Sequence, residues 1–357
     1  MRCAWAVPLL LGLCATSPQT ARAEEPACAP DEALSNAAAE LLLSEQVKPE
    51  PSQLTAAVRA AGSDAVALHA LFLSATAPSN AERTWLQGLR ERTDAPLHCG
   101  RAQAESGRLV IASARGGALQ AIDPKTRLVR GSIADGFTQA QLVVAAADGQ
   151  LVRVGVSASV LERGVELESD LVLPLKVQLL ATGAAGPRPV AERWLGNPGP
   201  TGGAAREGEE RRRAPAVAAA APQGARAEAA EPELSRLVLD LREARGRKRL
   251  RDNRLLREAA AAHARAVCEQ GRVAHTLDAG EGPEERLVRA GLTARLVGEA
   301  IARAADTSAA FEALQNSPSH LLTLLEPRFT DVGVGEARDA AGKRCYVVLL
   351  CAWPRKR

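Results

Sequence analysis

Between residues 31 and 93 the apolar positions recur at three- and four-residue intervals, the period of helices that bury one face. Ser52 and Ser79 stand where N-caps belong, and Gly62 stands where a helix would stop. Gln53–Ala61 and Asp64–Ala75 therefore read as two of these helices. After Cys99 the period changes. Leu109-Val110-Ile111, Leu128-Val129, Leu142-Val143-Val144, Leu151-Val152-Arg153-Val154 and Leu171–Leu180 are short runs of β-formers. Asp148-Gly149, between two of them, is a hairpin signal. The pattern predicts a helical segment over 24–98 and a small antiparallel β domain over 99–194.

Residues 195–231 carry Gly, Pro, Ala and charge with almost no large apolar side chain, the composition of a disordered linker. The two flanking halves are expected to fold separately. Beyond the linker the helical period returns, first at Leu234, Leu237, Leu239 and Leu241. Asp252 or Asn253 caps a second helix from about Arg254 to Glu269, closed by Gly271, with Leu256, Ala260, His263 and Val267 on one face. Pro283–Arg289 and Ser308–Gln315 read as further helices, and Leu296–Ile301, Thr330–Gly335 and Arg344–Leu350 as strands. The unit over 232–357 is α+β.

Composition narrows the class. A net charge of +3, with Arg interspersed among Glu, gives no footprint for nucleic acid. Arg2, the apolar run Ala4–Ala15 and Ala21-Arg22-Ala23 form a secretory signal peptide over 1–23. Lipid attachment at Cys14 is the alternative, disfavoured by the large Leu13 before it. The product is expected to be secreted, periplasmic or held at the cell envelope, with no transmembrane segment after cleavage. Disulfides are permitted there. Cys28 and Cys99 bracket a helical stretch and are the best pair. Cys345 and Cys351 on one strand stand about 20 Å apart, far beyond the reach of a bridge. Cys268 is left to meet one of them, with one thiol over.

A series of short pieces runs through the C-terminal unit. Leu255, Ala259 and His263-Ala264 precede Gly271-x-x-Ala274-His275-Thr276, then Arg286 and Ala290-Gly291. Val297-Gly298-Glu299-Ala300-Ile301-Ala302 and Asn316-Ser317-Pro318-Ser319-His320 follow, and Phe329-Thr330-Asp331-Val332-Gly333-Val334-Gly335 leads into Tyr346-Val347-Val348. In order and spacing the unit resembles the CAP superfamily (SCP/PR-1-like) in its bacterial form. The resemblance implies a CAP-type α-β-α sandwich with two histidines and acidic residues lining a central cleft, where some members bind a divalent metal. Carried over residue by residue, His275 is the first histidine, Glu299 the first acid and His320 the second histidine. This chain departs from the pattern in three places. Ala300 replaces an Asn, Leu314 stands for the usual Trp, and the second acid of the eukaryotic site falls near Ser317.

The residues themselves give a compatible reading. Ser317 as N-cap and Pro318 at N1 start a helix and put His320 near N3, where the helix dipole disfavours imidazolium. Glu299 is an unexpected charge in an apolar run, and such a carboxylate needs a partner. If the three converge, His275 and His320 could hold zinc or another divalent ion, with Glu299 as base for a bound water. Two histidines fall short of the three protein ligands usual for catalytic zinc, and Ser319 has no base facing it. His263 reads as core, His69 and His98 belong to the other half, and Arg245–Arg251 and Arg355–Arg357 as solvated surface. Three functions follow: a module binding a small apolar ligand, envelope component or protein partner; a weak metal-dependent hydrolase using His275, Glu299 and His320; or a structural envelope protein.

Overall fold

The structure, a computed structural model, describes residues 27–196, 232–277, 281–340 and 342–354. The signal peptide over 1–23, all of the expected linker beyond Gly196, and Arg355–Arg357 lie outside the described residues.

The first unit runs β1 (Ala29–Pro30), α1 (Glu32–Leu43), α2 (Pro51–Ala60), β2 (Leu68–Ser74), α3 (Ala81–Arg90), β3 (Leu97–Ala104) and β4 (Gly107–Ala114). Its sheet has the order β1-β3-β4-β2, with β1 parallel to β3 and the other pairs antiparallel. Leu109 and Ile111 of β4 pack on α1 and α2, while Val110 and Ala112 pack on the α3 side. Helices thus cover both faces, and Cys28–Cys99 ties the chain start to β3 with a Cα separation of 5.8 Å.

Three sequence expectations need correction here. Asp64–Ala75 is not a helix, because Leu68–Ser74 pairs along the whole of β4 as β2. The N-caps of α2 and α3 are Glu50 and Asn80, not Ser52 and Ser79. The boundary drawn between 98 and 99 also cuts through β3.

The second unit holds β5 (Gly117–Leu119), β6 (Leu128–Val129), β7 (Gly131–Ile133), β8 (Thr138–Ala145), β9 (Leu151–Gly155), α4 (Ala158–Arg163), β10 (Val165–Glu166), β11 (Leu175–Gly183) and β12 (Gly186–Leu195). Its main sheet is antiparallel in the order β12-β11-β8-β9, and β8 turns into β9 through Asp148-Gly149 as expected. Leu175, Val177, Leu179 and Ala181 point from β11 into the core of this unit. Lys176, Gln178, Leu180 and Thr182 alternate with them onto the other face.

The C-terminal unit contains α5 (Glu233–Ala244), β13 (Arg251–Asp252), α6 (Arg254–Gln270), α7 (Pro283–Arg289), β14 (Leu296–Ala304), α8 (Thr307–Gln315), α9 (Pro318–Leu324), β15 (Asp331–Arg338) and β16 (Arg344–Ala352). Asn253 caps α6 by accepting from the Leu255 and Leu256 amides, and Gly271 ends it at φ 61°. The sheet order is β13-β15-β16-β14. Along β16 the odd positions Cys345, Val347, Leu349 and Cys351 pack on α6 and α7. The even positions Tyr346, Val348, Leu350 and Ala352 pack on α5, α8 and α9. This is the expected α-β-α sandwich. α6 lies so close to β15 that a Cβ at Gly335 would stand 2.1 Å from the Ala261 nitrogen, and one at Gly333 would stand 2.3 Å from the Arg257 nitrogen. Those glycines set the interlayer distance. Cys268 of α6 bridges Cys345 of β16 at a Cα separation of 5.7 Å, and Cys351 is a free, buried thiol.

Candidate functional site

β14 is the edge strand of the C-terminal sheet, and Glu299 and Ile301 share the face turned to α6. The Glu299 side chain is only 1% exposed, so its charge requires partners. It has them. The His275 Nδ1–H donates to Oε1 at 2.8 Å, and the Arg286 Nη2 donates to Oε2 at 2.5 Å. His263 Nε2 lies 3.9 Å from the same Oε1. Burial by itself raises the Glu299 pKa. The His275 hydrogen bond and the charges of His275, Arg286 and His263 outweigh it and hold the carboxyl below the usual range.

The loop carrying His275 is fixed on every side. His263 Nε2–H donates to the Ala274 carbonyl at 3.0 Å. Arg286 Nη1 donates to the His275 carbonyl at 2.7 Å and to the Glu281 carbonyl at 2.9 Å. The His275 and Thr276 amides both donate to the Ala185 carbonyl, each at 3.1 Å. Ala185 belongs to the turn between β11 and β12, in the other half of the chain.

His320 enters from α9, where Pro318 occupies the first turn as expected. Ser317 makes no side-chain cap bond. Its hydroxyl instead donates to Gln178 Oε1 at 3.4 Å. The His320 ring is part-buried, and its Nδ1 is enclosed without a hydrogen-bond partner. Burial, and secondly the neighbouring His275, push its pKa down to about 4. The cause is thus enclosure rather than the helix start. The His320 imidazole is neutral at physiological pH.

The structure joins His275 to Glu299 directly and sets His320 close enough to His275 to feel its charge. Sequence reasoning missed two members of the cluster. His263 has the pattern of a core residue and is buried, but its ring is wired to the His275 loop. Arg286 gives no sign of its role in the sequence, because nothing local marks an arginine whose partner lies on an edge strand.

A divalent metal does not fit these side chains. Both Glu299 oxygens are taken, one of them by a guanidinium that would repel a cation. No group of three or more His, Cys, Asp or Glu among the described residues is arranged to hold a metal. The site is instead a charge-balanced polar cluster around the Glu299 carboxylate, beside which Nδ1 of the neutral His320 ring is enclosed without a hydrogen-bond partner.

Residues 236–352 match the family model of the CAP, or cysteine-rich secretory protein, family. No curated protein sequence matches the chain. Among solved structures, an outer surface protein of Borrelia burgdorferi is 23% identical, with a TM-score of 0.32 over 34% of this chain and 90% of its own. An extracellular SCP-domain protein of Bacillus anthracis is 19% identical, with a TM-score of 0.31 over 53% and 63%. A cysteine-rich secretory protein of Staphylococcus aureus is 12% identical, with a TM-score of 0.29 over 71% and 82%.

Proposed function

The C-terminal third of the chain carries a CAP domain, and from that premise we propose that the protein is an exported binding module whose cleft recognises a small, largely apolar ligand through His275 and His320. The observation that carries this reading is the state of Glu299. A general base needs a carboxylate with a free oxygen and a pKa near the working pH. Glu299 has both oxygens bonded and its pKa held low. The hydrolase reading therefore lacks its base, and it lacks a metal-binding donor set as well. The unpartnered Nδ1 of the neutral His320 suits a hydrogen-bonding head group, and a site of this kind needs few polar contacts. Val273 and Val288, 47% and 65% exposed, offer apolar surface on the two segments that carry His275 and Arg286.

The proposed export rests on the signal-peptide pattern of residues 1–23. Among the described residues no helix is long and apolar enough to cross a membrane.

The test uses the full chain. A fluorescent fatty acid should bind saturably, and His320→Ala should weaken it about tenfold. Nitrophenyl-ester hydrolysis should stay at the buffer rate with or without added zinc. Ester turnover that is lost on His275→Ala would reject the binding reading in favour of the enzyme.

A further inference from the structure

The segments that carry His275 and His320 are both held by another part of the same chain, β11 and the turn that follows it. At one end, Gln178 Oε1 accepts from the Ser319 amide at 3.1 Å, next to His320, and Lys176 Nζ donates to the Asn316 carbonyl at 2.7 Å. At the other end, the β11–β12 turn takes the His275 and Thr276 amides on Ala185 O, and a Cβ at Gly186 would stand 3.0 Å from the His275 Cβ. About 17 Å of strand separates Gln178 from the turn at about 3.4 Å per residue.

The hairpin is built to hold this pose. Gln178 is 3% exposed although it lies on the face of β11 turned away from its own core, and its Nε2 donates to Glu192 at 3.1 Å. Glu192 also pairs with Lys176 at 3.1 Å. At the turn, Asp94 accepts from the Ala185 amide at 3.1 Å and pairs with Arg188.

The contact is also built to come apart. Its bonds are polar, and the hydrophobic cores of the two halves are separate clusters. Further along the same seam, a cavity of about 330 Å³ opens between Gly149–Leu151 and Arg245, Arg247, Leu322 and Leu325. Polar, imperfectly filled interfaces between domains of one chain are those that open.

We propose that the β11–β12 hairpin is an autoinhibitory latch: it seals the CAP cleft, and a ligand reaches His275 and His320 only when the hairpin lifts. The inference rests on the reading of the cleft as a binding site, but the latch is testable without any ligand. Tethering makes relatching intramolecular, so the closed state dominates at rest even though few bonds hold it.

Amide hydrogen exchange on the full chain provides the first test. The His275, Thr276 and Ser319 amides should exchange at least about a hundredfold slower than unprotected amides. Gln178→Ala should speed exchange at Ser319 about tenfold, and Gly186→Ala should do the same at His275 and Thr276, each from its own end. Diethyl pyrocarbonate modification of His320, followed by mass spectrometry against His69 and His98 as internal references, should rise about tenfold in both variants. Unprotected amides in the unaltered chain would overturn the latch, even if neither variant folds. Unchanged His320 reactivity in folded variants would overturn it too. Faster His320 modification with no fatty-acid binding in any variant would uphold the latch and reject the cleft as a site for that ligand.

Discussion

β11 and β16 are both nine-residue strands with neighbours on either side, yet they are buried by different means. β16 is apolar on both faces, because helices of its own domain cover each side of the sheet. β11 is apolar on alternate positions only, and Lys176 and Gln178 stand on the opposite face. In a free antiparallel sheet that face meets water. Here Gln178 is 3% exposed, and its carboxamide is bonded to a helix of another domain. A polar residue buried on the outer face of an alternating strand marks a docking surface. An all-apolar strand marks only an interior.

The comparison sharpens when charges are removed from each region. Arg286→Ala should produce the largest loss, about 3–5 kcal/mol in chemical denaturation, because it strands the buried Glu299 charge. Arg188→Ala on the hairpin breaks a part-exposed pair with Asp94 and should cost under about 1 kcal/mol. Equal losses would erase the distinction between the two regions. Gly335→Ala should cost about 3 kcal/mol, because the new methyl meets α6 backbone rather than a movable side chain.

Acid should separate the regions next. His320 has a folded pKa of about 4, below the 6.5 of an ordinary histidine. A depressed histidine means that the unfolded chain binds more protons between those values. Its stabilising share is whole above pH 6.5 and drains away as pH falls toward 4, by at most about 3 kcal/mol. Melting temperature followed from pH 7 to 4 should fall, and His320→Gln should flatten that slope. Glu299 acts at lower pH, where its stabilising share is lost as the carboxylate takes up a proton. Gln178→Ala should cost only about 1 kcal/mol in global stability, because it removes seam bonds and leaves the separate cores intact.

The C-terminal unit was legible because each layer writes its own period. α6 shows Leu256, Ala260 and Val267 on one stripe, and Gly333 and Gly335 recur at the spacing where that stripe must come close. Glu299 was legible as a charge out of place in an apolar run. β2 was not. Leu68–Ser74 is apolar with little alternation, and only its pairing with β4 decides against a helix. The stripe containing His263 told its face but not its partner, the Ala274 carbonyl. Gln178 was beyond reach altogether, since its partner amide lies 141 residues away in another domain. Local pattern reports burial within a unit, whereas contacts between units leave only a misplaced polar residue as their trace.

The closed, charge-balanced cleft is tested most directly by titrating the histidine ring signals of the full chain by nuclear magnetic resonance. His320 should stay neutral through pH 6.5 and protonate only near pH 4, with Nδ1 of His275 remaining bonded to Glu299. A His320 midpoint at the ordinary value near 6.5 would mean an open, solvated cleft and would contradict it.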